Sequence, residues 1–494
     1  MDSAPVLEIS SGFIRGIRRP ETGSLRFSGI PYAAPPVGAL RFAAPTPAEP
    51  WTGVRDATEI GFAAPQYPGR IPKRLAAVVA ARRSRSEDCL TLNVDTPALD
   101  GPPRPVVVWI HGGGFTTGTS GLYDGSRLAT DGDVVVVSVN YRVGGLGFVD
   151  FGSALGGDPR IASNLGLRDQ IAALEWVRDN VAAFGGDPER VTIAGHSAGA
   201  GCVAALLTSP AARGLFHGAI AQSGALTLTT DAEDAERAAH EVLGRLDLSR
   251  DRADELWRLP ASAIVRATQE AQDARTGSLV TRPWWDGDVL PASLAAGYDA
   301  VAPVPLMIGW THDEHRTFTR LKIAIIPMTR AALDLAITEA LGPADAAALL
   351  AAYPDDPAGL NALGTDLVFG MPSQHLAERQ APRAPTFAYR LDLQAGRFGL
   401  GAYHGVDLLL QFPQTPRAEW IAAGRPGADR LALAERFRAA WLGFVRGASP
   451  GDDWPAYDPA GARSVRIFDR ADRIVDDLEG ERRRVWAGRD IRIR

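Results

Sequence analysis

The chain has 494 residues, 46% of them hydrophobic and 22% charged, with 52 glycines and 36 prolines, which is a globular, loop-rich composition that excludes disordered and collagen-like classes. Fifty-two basic against 58 acidic side chains leave a net charge of -6 with no long block of one sign, so no nucleic-acid partner is expected. The start lacks a basic stretch followed by an apolar one, and the longest apolar runs fall well short of the roughly 18 residues that cross a membrane. No membrane partner is therefore expected, and the cytoplasm is the expected location.

In chain order, VVVWI (106–110), VVVVSV (134–139), VTIA (191–194), GAIAQ (218–222) and PLMIG (305–309) are short, nearly all apolar and rich in β-branched residues. Such segments read as strands buried on both faces. Between two of them, Leu167, Ile171, Leu174, Val177, Val181 and Phe184 recur at steps of four and three, the period of an amphipathic helix that GGDP then stops. Strands alternating with helices predict an α/β protein with a mostly parallel central sheet flanked by helices. The stretches at about 232–274 and 329–380 turn alanine-rich and charged with helical spacing, whereas TFAYRL (386–391) and SVRIF (464–468) return to strand character. The excursions thus interrupt one fold, and residues 1–494 are expected to form a single catalytic domain.

The strongest local signal is VTIAGHSAGAG, in which a strand runs into G-H-S-A-G and a small-residue helix. A G-x-S-x-G at a strand-to-helix turn is a nucleophile elbow: the tight turn exposes the Ser197 hydroxyl, and the small residues around it let helix and strands approach. Gly199, Gly201 and Ala204 also satisfy G-x-G-x-x-A, but no acidic residue follows about 20 positions on to hold a ribose. No glycine precedes either lysine in a P-loop pattern, so no nucleotide or other cofactor is expected. Upstream, VVVWIHGGGF ends a buried strand in a loop whose bare backbone can aim N–H groups at a developing oxyanion. Gly113 and Gly114 would donate there, with the Ala198 N–H as third donor.

In such sheets the acid and base follow the serine in the order Ser, Asp or Glu, His. Of the eight histidines, His111 and His196 precede the serine, and His196 is expected to project away from it. His217 and His240 precede the acid candidates, and His375 is expected on the solvated face of a helix. His404, in the loop GAYHGVDLLLQF, is the best base. Past PLMIG, either Asp313 or Glu314 could serve as the acid by chemistry alone. His312 and His315 flank them like a metal clip, but two histidines without further ligands seldom make a site, and no metal is expected. Trp284, Trp285, Trp310 and Phe318 are candidates to line a pocket.

Together these residues resemble the carboxylesterase type B family, α/β-hydrolases that include bacterial para-nitrobenzyl esterases, carboxylesterases and cholinesterases. The resemblance runs from about Phe27 to about Asp469 through FSGIPYAAPPVGALRF, SEDCLTLNV, VVVWIHGGGF, VVVSVNYRVGGLGF, AGHSAG, GLFHGAIAQSGA, YHGVDLLLQF and WPAYDPAG. It implies Glu314 as the acid and His404 as the base, and structural ion pairs of Arg41 with Glu87 and Arg142 with Asp169. Three departures stand out. His315 replaces the family glycine after the acid, so its side chain must be accommodated near the triad. His196 stands where many members carry glutamate, which removes a carboxylate able to stabilise a cation. Ala64 falls where the family has the cysteine partner of Cys89, so both Cys89 and Cys202 are expected to be free thiols. The implied activity is that of a serine carboxylesterase hydrolysing small neutral carboxylic esters through an acyl-enzyme. A carbamate or amide hydrolase with the same triad is the alternative, and a non-catalytic binding or adhesion homologue the remote one.

Overall fold

A computed structural model of the chain describes residues 4–67, 85–275, 277–394, 399–412 and 427–492. Its centre is an eleven-stranded sheet built, in chain order, from β1 (Ile17–Arg18), β2 (Leu25–Pro31), β3 (Thr91–Thr96), β4 (Arg104–Ile110), β5 (Val135–Val139), β6 (Gly186–His196), β7 (Gly218–Gln222), β8 (Leu306–Thr311), β9 (Thr386–Leu391), β10 (Val465–Phe468) and β11 (Arg473–Val475). The spatial order is β11-β10-β9-β8-β7-β6-β4-β5-β3-β2-β1. Every pairing from β10 across to β5 is parallel. The outer pairings, β10 with β11 at one edge and β5 with β3, β3 with β2 and β2 with β1 at the other, are antiparallel. The apolar runs thus form the parallel centre, where both faces are covered, while the more polar edge strands escape an apolar-run criterion.

Alternation along β4 divides the core. Val106, Val108 and Ile110 pack with α1 (Leu165–Asn180) and α2 (Ala198–Thr208) on one face. Val107 and Trp109 pack on the other, in the cluster that holds Phe437 and Trp441 of a helix over Ala428–Gly447. Each wholly buried valine contributes about 1.5 kcal/mol or more, so a charge at any of these positions would be costly.

The first helical excursion contains α3 (Ala232–Arg245) and α4 (Ala261–Ala274), which meet Leu146, Val149 and Phe151 in a separate apolar cluster. After it come α5 (Glu314–Leu321), α6 (Arg330–Leu341), α7 (Pro343–Leu350), α8 (Pro357–Thr365) and α9 (Met371–Gln380). The α9 helix corrects one expectation: His375 is buried, its Nδ1 3.0 Å from Asp490 Oδ1, because α9 is covered by the C-terminal segment. A local helical pattern carries no sign of a partner 115 residues away.

Both implied ion pairs are present. Arg142 meets the fully buried Asp169 through two bonds of 2.6 and 2.8 Å, and Arg41 meets Glu87 through bonds of 2.6 and 2.8 Å. Arg142 Nη1 also donates to the carbonyls of Arg41 and Ala43, joining the pairs into one buried network. Cys89 and Cys202 are both free and buried. Among the described residues, no helix is long and apolar enough to cross a membrane.

Candidate active site

The β6 strand ends at His196 and α2 begins at Ala198, leaving Ser197 alone at the turn with φ 58° and ψ -124°. A non-glycine residue at positive φ is strained by about 1–3 kcal/mol. The turn is held by the Ser197 N–H donating to the Gln222 carbonyl at 2.8 Å and the Gly201 N–H donating to the Ser197 carbonyl at 2.9 Å. A Cβ on Gly199 would lie 2.2 Å from the Ile110 carbonyl oxygen, so only glycine lets α2 seat against β4.

His404 Nε2 lies 2.9 Å from Ser197 Oγ, and its Nδ1 lies 2.5 Å from Glu314 Oε2. Glu314 is wholly buried as the first residue of α5, and its other oxygen accepts the Thr311 N–H at 2.7 Å. The His404 loop is pinned by the His404 N–H donating to Thr317 Oγ1 at 2.8 Å. Of the two adjacent carboxylates, Glu314 therefore faces the imidazole and Asp313 does not. Asp313 instead accepts from the Ala402 N–H, Asn361, Gln394 and Arg316. Burial raises its pKa, but hydrogen bonds from His312, Ala402 and Gln394 outweigh that and hold it at about 2.

The His404 ring is enclosed by Phe369 at 4.9 Å, Phe318 at 5.2 Å and His196 at 4.6 Å between ring centres. His196 thus makes no hydrogen bond to Ser197 yet does not leave the site as expected, because the elbow turns its side chain onto the His404 ring. Burial, and then the charge on His404, lower the His196 pKa well below the usual imidazole value. Its Nε2 is 3.8 Å from the buried Asp407, whose other oxygen accepts from Gln222 Nε2 at 2.7 Å. Burial and the charge on Glu314 raise the Asp407 pKa to about 6, against the pull of the Gln222 hydrogen bond. Phe369, Asp407 and Gln222 were missed by sequence reasoning. Asp407 stands three residues after His404, and that adjacency was the one usable signal.

The loop 111–114 bends at Gly113 (φ 129°) and Gly114 (φ 61°), conformations that an L side chain resists. Among the described residues, no acceptor takes the N–H of either glycine, and Ala198 as the first residue of α2 keeps its N–H outside the helical ladder. His315 is accommodated in the core, its Nε2 2.7 Å from the Pro327 carbonyl and its ring against Gly364, where a Cβ would come within 2.2 Å. His312, half-exposed, turns to Asp313 instead, so the two imidazoles take different partners. Among the four candidate pocket aromatics, Phe318 alone touches His404. Trp284 and Trp285 pair with Thr230 and Asp231 in a small buried sheet, and Trp310 is buried in β8.

The profile of the carboxylesterase family matches residues 3–336. The para-nitrobenzyl esterase of Bacillus subtilis (strain 168) is 36% identical over 94% of this chain and 95% of its own length. The chain belongs to the carboxylesterase family. A phenmedipham hydrolase of Pseudarthrobacter oxydans is 34% identical over 96% of this chain and 99% of its own length. A solved para-nitrobenzyl (PNB) esterase structure superposes with a TM-score of 0.88 at 35% identity, covering 98% of this chain and 99% of that one. A Geobacillus stearothermophilus carboxylesterase gives 0.83 at 34% identity, covering 97% and 99%. The fold is the α/β-hydrolase fold, and the protein is a carboxylic ester hydrolase of the serine carboxylesterase type.

Proposed function

We propose that Ser197 is the nucleophile, His404 the general base and acid, and Glu314 the carboxylate that orients the imidazole, with the N–H groups of Gly113, Gly114 and Ala198 as oxyanion donors. The observation that carries this reading is the continuous hydrogen-bonded chain from Ser197 Oγ through His404 to Glu314. His404 Nε2 takes the hydroxyl proton as Ser197 Oγ attacks the ester carbon. The tetrahedral oxyanion collects the three free N–H donors, each of which removed from such a hole costs on the order of 10² in rate. Collapse breaks the bond to the alcohol oxygen, which leaves with the proton from His404. Water then repeats the sequence on the acyl-enzyme, releasing the acid.

The substrates are small neutral carboxylic esters. A small cavity lined by Leu228, Leu279, Ile325 and Val368 borders the loop at Gly114, where a Cβ would meet Ile325 and Leu279 at 3.5 and 3.9 Å. The chain works as one catalytic domain in the cytoplasm, with 232–274 and 329–380 as helical excursions, and without cofactor, metal, nucleic acid or membrane. A carbamate-cleaving activity is the second reading, favoured by the likeness to the phenmedipham hydrolase. The same donors fit a carbamate carbonyl, but the less electrophilic carbamoyl-enzyme should turn over slowly. Steady-state rates on para-nitrophenyl butyrate and an aryl carbamate test this: ester turnover should exceed carbamate turnover, and the reverse order would replace the first reading with the second.

A further inference from the structure

The residue after the triad acid, His315, holds a loop that reaches the oxyanion site. The α5 helix ends at Leu321, Lys322 turns the chain back at φ 56°, and the loop that follows is exposed through Ala324 and buried at Ile326 and Pro327. Hydrogen bonds hold it near its start, middle and end: the Ile323 N–H donates to the Phe318 carbonyl at 2.9 Å, the Gly277 N–H to the Ala324 carbonyl at 3.4 Å, and His315 Nε2 to the Pro327 carbonyl at 2.7 Å. The last of these is the shortest and the one made by a side chain. A carbonyl oxygen only accepts, so Nε2 carries the proton and Nδ1 is bare. Nδ1 is buried without a hydrogen-bond partner among the described residues, and burial lowers the pKa of the ring, so His315 stays neutral. The ring is seated against Gly364 of α8, where a Cβ would come within 2.2 Å of Cδ2, and the His315 N–H donates to Thr365 Oγ1 at 3.3 Å. Thus α5 and α8 fix the ring, and the ring fixes the loop.

The loop carries Ile325, two residues before Pro327. A Cβ on Gly114 would meet Ile325 Cδ1 at 3.5 Å, so this side chain lies in van der Waals range of the oxyanion loop. Ile325 and Ile326 line a small cavity with Leu228, Leu279, Leu367 and Val368. Leu228 packs on Gly201, one turn into α2, and Val368 precedes Phe369, whose ring centre is 4.9 Å from that of His404. An ester attacked by Ser197 with its carbonyl oxygen at the Gly114 N–H therefore brings its acyl chain against this apolar wall. Room for a longer chain opens only if the loop moves outward. Solvent, not protein, backs residues 321–324, so the bond from His315 to Pro327 is what resists that movement.

We propose that His315 sets the acyl-chain length: by holding the Pro327 carbonyl it keeps Ile325 and Ile326 against the oxyanion loop, so that short acyl groups are accepted and long ones rejected. His315 is a positioning residue that touches neither the triad partners nor the reacting atoms. The proposal rests on the reading of Ser197 as nucleophile and of the Gly114 N–H as an oxyanion donor.

The test is kcat/KM for para-nitrophenyl butyrate divided by that for the octanoate. Wild type should favour the butyrate. His315→Leu keeps the volume of the ring but removes the donor, and should lower the ratio about tenfold, the scale on which apolar pockets discriminate methylenes, while kcat on the acetate stays close to wild type. His315→Gln, whose amide can place a donor near the position of Nε2, should restore most of the ratio. Ile325→Ala cuts back the wall directly and should lower the ratio as well. Combined with His315→Leu it should add little, since both changes open the same wall. Should His315→Leu fail to fold, His315→Asn, which stays polar but falls short of Pro327, takes its place with the same expectation. An octanoate preference in wild type, a ratio unmoved by loss of the His315 donor, or one unmoved by Ile325→Ala would overturn the proposal, while butyrate turnover keeps the esterase reading intact. Failure of wild type to cleave any of the three esters would overturn both.

Discussion

The carboxylate of Asp313 accepts the backbone N–H of Ala402 at 2.9 Å, while the Asp313 N–H donates to the Ala402 carbonyl at 2.9 Å. Two adjacent carboxylates thus divide the work: Asp313 clamps the acid loop to the loop two residues before His404, and Glu314 reaches the imidazole itself.

That division predicts different failures. Glu314→Gln should keep the fold and lower kcat by orders of magnitude, about 10⁴ by analogy with other triad acids. Asp313→Asn should act on stability. Its carboxylate is held at about 2 in the folded protein against the ordinary value of 3.8, which corresponds to roughly 2 kcal/mol. Because the folded pKa is depressed, this stabilisation is complete above about pH 4 and disappears as the pH falls through 2. Chemical denaturation at pH 7 and at pH 2–3 should show the gap between wild type and variant closing with acid. A larger kcat loss in Asp313→Asn than in Glu314→Gln would reverse the assignment.

The buried pair of Arg142 and Asp169 gives a second expectation. Removing one partner strands a charge that also serves the carbonyls of Arg41 and Ala43, so Asp169→Ala should cost about 3–5 kcal/mol. A lowered Tm with unchanged kcat in the surviving folded fraction is the expected result. An unaltered Tm would mean that the network relaxes without cost.

Burial pushes both thiols up, Cys202 to about 12, which suppresses the reactive thiolate. The native protein should therefore react slowly with a thiol reagent, and the denatured, unreduced protein should titrate two thiols. A count near zero would indicate an oxidised protein.

Substrate selection follows from His196 and the cavity. With a buried imidazole of lowered pKa before the nucleophile, no carboxylate at that position awaits a quaternary ammonium. Butyrylcholine should be a poorer substrate than an uncharged butyrate ester, and para-nitrophenyl acetate or butyrate should exceed the palmitate in kcat/KM. Preference for the palmitate or for choline would contradict the pocket assignment.

The parts legible in the sequence are those whose chemistry is local. The elbow at Ser197 needs glycine where strand and helix touch, the oxyanion loop needs glycines at positive φ, and the central strands need unbroken apolar runs because both faces are covered. The residue pattern left Asp313 and Glu314 undecided, since both follow β8 and only the folded loop decides which faces His404. The family resemblance, not spacing, pointed to Glu314. The enclosure of His404 by His196 and Phe369, the Asp407–Gln222 bond and the burial of His375 against Asp490 were illegible for the opposite reason. These contacts join residues from distant parts of the chain, and no local period records them.

The central claim, that Ser197 is the covalent nucleophile, is tested most directly by reaction with a fluorophosphonate followed by peptide mass mapping. One phosphonate per chain on the peptide containing Ser197, and none on folded Ser197→Ala, is the predicted result. A label on another residue, or labelling that persists in the folded variant, would contradict it.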